Sequence, residues 1–345
     1  MDGVGRTLVR ATAQLNISGN STKWLYRRLE NAGRGTWTGA GDIIFANGDF
    51  QNLAGAVFQA ENAGNIRWNG GVNTFDNAGT FLKTGTNQTA ISTVPFNNSG
   101  ALNVSQGSLG LNGGTNSGSF RIEAGASLAL NAGTYSLSPG VNFTGSGTVE
   151  VLSSTRLTLA SDLNLGTLNI VFRDLPTVTG PFKLSNSAGG TITFNASVTI
   201  PGSMEIGGTL AIAATNVTVQ ISGTLTLAQS ATLNNAGTLR VGAFQDNGGT
   251  IIGNGPQSIG LGSQSIRLLN LGFARLDPQS ISSSTLQWAG TPAAEYKIEV
   301  SADLLSWSVL EVPIVELAPG IFQGRLSPDL TSQPRSFLRV RLTQK

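Results

Sequence analysis

Gly118-Ser119-Phe120-Arg121-Ile122 and Gly147-Thr148-Val149-Glu150-Val151 are two copies of one phrase: glycine, any residue, apolar, any residue, apolar. Eleven copies begin at Gly64, Gly100, Gly107, Gly118, Gly133, Gly147, Gly166, Gly190, Gly208, Gly223 and Gly237. Each copy is a turn residue followed by period-two alternation, so the strand it opens has one apolar and one polar face. Self-similarity on this scale predicts stacked repeats, in which each unit buries its apolar face only against its neighbours.

These eleven copies lie 36, 7, 11, 15, 14, 19, 24, 18, 15 and 14 residues apart. Seven residues hold one strand and its turn, and 14 to 24 hold two or three. That pattern predicts a right-handed parallel β-helix, an all-β solenoid with irregular corners, over about residues 36–284. Asn stands two residues before glycine at Asn62, Asn77, Asn98, Asn116 and Asn235. Both residue types tolerate positive φ, and Asn at one corner of successive coils is expected to stack into an amide ladder. Asn31-Ala32-Gly33 and Asn52-Leu53-Ala54-Gly55 keep the corner but blur the strand. Solenoid ends need atypical units, so residues 1–35 read as an N-terminal cap, with a short helix expected around Thr22–Glu30.

Composition narrows the chemistry. The 345 residues include no Cys and no His. Disulfides, thiolate nucleophiles, Ser-His-Asp triads and His-ligated metals are therefore excluded. Charge is sparse, 21 basic against 19 acidic residues. The dense basic stretch is Lys23-Trp24-Leu25-Tyr26-Arg27-Arg28, which reads as a solvated end of the solenoid, and no nucleic-acid partner is expected. No apolar run approaches the roughly 18 residues that span a bilayer, so no membrane insertion is expected. A chain low in charge, rich in Gly, Asn, Ser and Thr and free of Cys resembles exported bacterial surface protein. Met1–Asn20 has no charged-then-apolar signal pattern, so a fragment or processed form of a larger exported protein is expected.

Of the 45 glycines, three lie after residue 284. There the pattern changes to clean alternation in Tyr296-Lys297-Ile298-Glu299-Val300 and Phe337-Leu338-Arg339-Val340-Arg341-Leu342, predicting a small β-sandwich over 285–345 with Trp288 and Trp307 in its core. The run Tyr296–Trp307 followed by Ser336-Phe337-Leu338-Arg339-Val340 resembles the fibronectin-III-like closing module of large exported bacterial proteins. Those proteins often carry repetitive β-helical regions similar to autotransporter passengers and adhesins. The resemblance implies an extracellular or cell-surface setting and carries over no catalytic residue.

Polysaccharide lyases and pectin hydrolases share the solenoid, so its carboxylates are candidate acid–base groups. No Asp-Asp or Asp-x-Asp pair occurs between 36 and 284; Asp42, Glu61 and Asp76, with Lys83 and Arg67 close in sequence, form the best candidate cluster. Solvated turn residues are the plainer reading. Aromatic rings bind sugars by stacking on their apolar faces. Trp37 and Trp68 fall at inward positions of the phrase and are expected in the core, whereas Trp24 and Tyr26 lie outside it and are expected to be exposed. Thr-x-Thr pairs at Thr84, Thr177, Thr191 and Thr224 are too irregularly spaced for a flat ice-binding array, and Asn-x-Ser/Thr sequons such as those at Asn87 and Asn142 are expected by chance in such a chain. No loop supplies converging oxygen ligands for calcium, and no metal or cofactor is expected.

The resulting expectation is a non-enzymatic extracellular or cell-surface β-solenoid, a stalk or adhesin-like segment that presents surface to a polysaccharide or cell-surface glycan. Two alternatives stay open: a polysaccharide lyase or hydrolase using Asp42, Glu61, Asp76 and Lys83, and a fibre subunit associating end to end.

Overall fold

The computed structural model describes residue 3, residues 5–152 and 154–258, and the later segments 267–272, 284–289, 295–301, 308–318, 321–326 and 337–344. It divides into two compact units, Met1–Asn254 and Gly255–Lys345. The first is an all-β parallel solenoid of about twelve turns, without helix among its described residues.

Three strands make one coil. Arg28–Asn31, Arg34–Trp37 and Ile43–Phe45 form the second coil, and each pairs in parallel with its counterpart in the next: Phe50–Asn52, Val57–Ala60 and Asn65–Trp68. The three faces of the prism are numbered in that order. Strands on all three alternate outward and buried, because the period-two pattern leaves one side chain in two to pack inside.

The core is built of in-register columns. On face one, Phe50, Phe75 and Phe96 stand above one another, and on face two Phe58, Phe81, Leu102, Phe120 and Phe143 do so. Face three continues the column in aliphatics: Val149, Ile170, Ile192, Leu210 and Leu233. Like on like at a strand spacing of about 4.8 Å gives ring-on-ring and branch-on-branch packing through the shaft.

The amide ladder exists at the corner between faces one and two. Asn31 Nδ2 donates to Asn52 Oδ1 (2.9 Å), Asn52 Nδ2 to Asn77 Oδ1 (2.8 Å) and Asn77 Nδ2 to Asn98 Oδ1 (2.8 Å). All four are at most 1% exposed. Each also donates to a backbone carbonyl of a neighbouring coil (Val57, Thr80, Ala101 and Ser119), so a buried polar column satisfies carbonyls as well as itself. Asn62 lies at another corner, where its carbonyl accepts from Thr89 Oγ1, and Asn235 bonds the amide of Gly237. Gly79, Gly100 and Gly118, which close the ladder corner, lack positive φ, contrary to expectation. Their reason is close approach: a Cβ on Gly100 would overlap the carbonyl oxygen of Gly79, and one on Gly118 that of Gly100.

The helix expected over Thr22–Glu30 is replaced by strands. Lys23–Leu25 pairs in parallel with Ile43–Phe45, and Arg28–Asn31 with Arg6–Val9, so residues 6–35 run in the same register as the later coils. Tertiary pairing overrides whatever helix preference that stretch has.

The second unit contains a four-stranded and a three-stranded antiparallel sheet. Tyr296 and Phe322, one from each sheet, are buried with ring centroids 4.7 Å apart. Trp307 lies outside the described residues, as does Asp277; of Trp288 the backbone alone, in strand Ser284–Ala289, is described.

Candidate functional site

The candidate carboxylates do not converge. Asp42 and Glu61 lie at the corner between faces two and three, in successive coils, whereas Asp76 points outward from face one. Each is held by near neighbours. Asp42 pairs with Arg67 at 3.0 Å and accepts from the Asn65 amide at 2.8 Å. Glu61 accepts from Gln59 Nε2 (2.6 Å), and Asp76 from Thr74 Oγ1 (3.0 Å) and Asn97 Nδ2 (2.8 Å). The bonds of Asp42 and the Asp76–Asn97 bond tie neighbouring coils together, whereas Gln59–Glu61 and Thr74–Asp76 lie within one coil.

Lys83 is further from a catalytic role. It closes strand Thr80–Lys83 on face two, where alternation turns it inward between Ala60 and Val104, and it is fully buried. Its Nζ donates to the carbonyl of Gly85, and among the described residues no carboxylate pairs with it. Burial disfavours the ammonium form and lowers its pKa below the ordinary lysine value. Between the lowered value and the ordinary one the unfolded chain binds a proton that the folded chain lacks, so stability must rise with pH across that window. Lys83→Met is expected to raise stability at neutral pH by about 0.5–2 kcal/mol and to abolish that alkaline rise. Denaturant titrations from neutral to alkaline pH, on both proteins, check it.

Trp24 and Tyr26 form the feature most suited to recognition. Trp24 points outward from strand Lys23–Leu25 on face three, and Tyr26 follows at the corner. Their rings are parallel within 9°, with centroids 5.8 Å apart, and remain 41% and 42% exposed. Two apolar rings left this open on a coil whose neighbours are tightly packed constitute a platform rather than a core.

Trp37 is buried as expected, but Trp68 is not: it is 51% exposed, with Nε1 donating to the Gly71 carbonyl at 2.7 Å. The strand phrase opened by Gly64 belongs to face three, and Trp68 ends it just before a bulge in which Gly70 and Gly71 take positive φ. Val72, at the tip of that bulge, is 92% exposed. Trp68 thus adds a third open ring two coils from the platform. The signal available in the sequence was the Gly-Gly pair two residues after Trp68.

Two other surfaces are uncharged. An open groove of about 380 Å³ runs along face one, lined by Pro176, Thr177, Ser197, Thr199, Thr218 and Gln220, with no charged side chain. On face three the register aligns Thr148, Asn169, Thr191, Thr209, Thr232 and Thr250 into one outward rank. Of the Thr-x-Thr pairs only the one at Thr191 contributes to it, since Thr177 lies on face one and Thr224 on face two. No family model, no curated protein and no solved structure matches this chain.

Proposed function

We propose that the chain is a non-enzymatic structural element of the bacterial cell surface or extracellular space, a stalk or adhesin-like solenoid whose first coils bind glycans through Trp24 and Tyr26. The observation that carries this reading is the pair of parallel, exposed rings on a rigid coil. A pyranose presents a flat array of C–H groups that stacks on such rings, and a platform held by strand pairing needs little ordering on binding. The fibronectin-III-like character of the terminal sheets belongs to the same reading: Tyr296 and Phe322 fill a sandwich-like core, and such modules space binding segments on exported proteins.

The test is affinity electrophoresis through gels cast with a panel of polysaccharides and then stained for polymer. Retarded migration over intact polymer is expected, with about tenfold weaker retardation for Trp24→Ala and for Tyr26→Ala. A cleared track would overturn the reading and direct attention to Asp42, Glu61 and Asp76. Unretarded migration on every polymer would leave a passive stalk.

A further inference from the structure

We infer that the Trp24–Tyr26 platform selects anionic glycans, polysaccharides bearing carboxylate or sulfate groups; this rests on the glycan reading above and narrows it. Charge is distributed unevenly along the solenoid. From Arg6 to Arg34, the first coil and the start of the second, six cations (Arg6, Arg10, Lys23, Arg27, Arg28, Arg34) face one carboxylate, Glu30. Glu30 is buried and committed to Arg6 at 2.9 Å, so it does not repel a ligand at the surface. From residue 35 to 254 the balance reverses, seven cations to ten carboxylates. Those carboxylates are spread over many coils, and a Debye length of about 8 Å at physiological salt screens all but the nearest from the platform.

Several of these cations also adjoin the platform along the chain or across the strand register. Arg27 and Arg28 directly follow Tyr26, and Arg28 pairs in register with Arg6 across the adjoining strands. Arg67 occupies the outward rank that Trp24 begins, with Ile44 between them, but its guanidinium is paired with Asp42 at 3.0 Å and adds less than Arg28. The Arg28–Asp49 pair is long, 3.4 Å, with the Arg28 side chain 47% exposed. Such surface pairs contribute little and are readily exchanged for a bidentate carboxylate or sulfate. A ring stacked on the sugar face together with a guanidinium at its edge recognises a charged sugar by two independent contacts. A neutral sugar satisfies one of them.

The experiment compares polygalacturonate with its methyl ester, the same backbone without charge, and adds single-stranded DNA as a polyanion without sugar stacking faces of this kind. The intact chain is run on all three at low and physiological salt. Retardation by polygalacturonate about tenfold stronger than by the ester is expected, weakening with salt. Arg28→Gln should lose several-fold on polygalacturonate and nothing on the ester, whereas Trp24→Ala should lose about tenfold on both. Circular dichroism of each variant confirms that the coils are retained. Equal retardation by acid and ester would overturn the charge selection and leave the glycan reading standing. Retardation by neither would overturn both. Retardation by DNA as strong as by polygalacturonate and unchanged in Trp24→Ala would show bare ion exchange and overturn the selection of glycans.

Discussion

Phe75→Ala is expected to destabilise the solenoid by about 3–5 kcal/mol, the range for removing a fully buried aromatic ring from a close-packed core. Phe75 is completely buried and touches four other rings: Phe50 at 4.7 Å, Phe96 at 5.2 Å, Phe81 at 5.6 Å and Phe58 at 5.9 Å between centroids. It therefore links three coils along face one and bridges to face two. A solenoid coil is stabilised only by its neighbours, so a cavity here weakens two interfaces at once, and no distant part of the molecule can compensate. Guanidinium unfolding followed by tryptophan fluorescence is well placed to read this, because Trp37 is buried two coils away. Phe143→Ala supplies the comparison. Its ring stacks on Phe120 at 4.7 Å and 7° and lies at the end of the face-two aromatic column, so its loss should be the smaller of the two. Equal losses, or a loss below about 1 kcal/mol at Phe75, would refute the stacked aromatic column.

The strands were legible in the sequence because period two needs no knowledge of partners. Phe120 and Ile122 point inward after Gly118, and Val149 and Val151 do so after Gly147. What could not be read was which face a strand joins. Gly100 and Gly118 open face-two strands, whereas Gly147, Gly190 and Gly208 open face-three strands, so phrase spacing counts strands and not coils. The exposure of Trp68 has another cause. Its register partner Phe45 is buried, as are Val151, Phe172 and Phe194, which close face-three strands as Trp68 does, and of these Trp68 alone is followed by the bulge at Gly70–Gly71. The threonine rank was missed because the face of each strand could not be read. Corner loops absorb unequal spacing, so Thr191 and Thr209 come into register with Thr148 although the intervals differ. Lys83 was legible and overlooked, since alternation from Gly79 already turns it inward. Of the site, the exposure of Trp24 was legible but its cause was not, since Trp24 lies within the coil register as the outward residue of strand Lys23–Leu25. Its parallel stacking on Tyr26 depends on the corner after Leu25, which the sequence does not specify.

Asn77→Leu is expected to cost about 2–5 kcal/mol, although leucine fits a buried position by size and polarity. The substitution removes the acceptor of an Asn52 N–H and the donor to both Asn98 Oδ1 and the Ala101 carbonyl. Groups so orphaned in a buried column lose about 1–3 kcal/mol each, and Asn52 retains its bond to Thr80 as partial relief. Asn116→Leu should behave oppositely. Asn116 occupies the same register one coil beyond Asn98, but its Oδ1 is buried without a hydrogen-bond partner, and the next coil carries Leu137 at that position. The ladder ends at Asn98, and Asn116 already bears the penalty of an unsatisfied acceptor. Leucine there should be neutral or stabilising by about 1 kcal/mol. A third variant decides whether the ladder is cooperative. With Asn52→Leu and Asn77→Leu combined, the bond between them is replaced on both sides, so the double loss should fall below the sum of the single losses by about 1 kcal/mol or more. Additive losses would mean that each asparagine serves only the carbonyls of its own corner. A shortfall would mean that the amides act along the axis, holding the register of four successive coils in a region where the aromatic column would tolerate slippage.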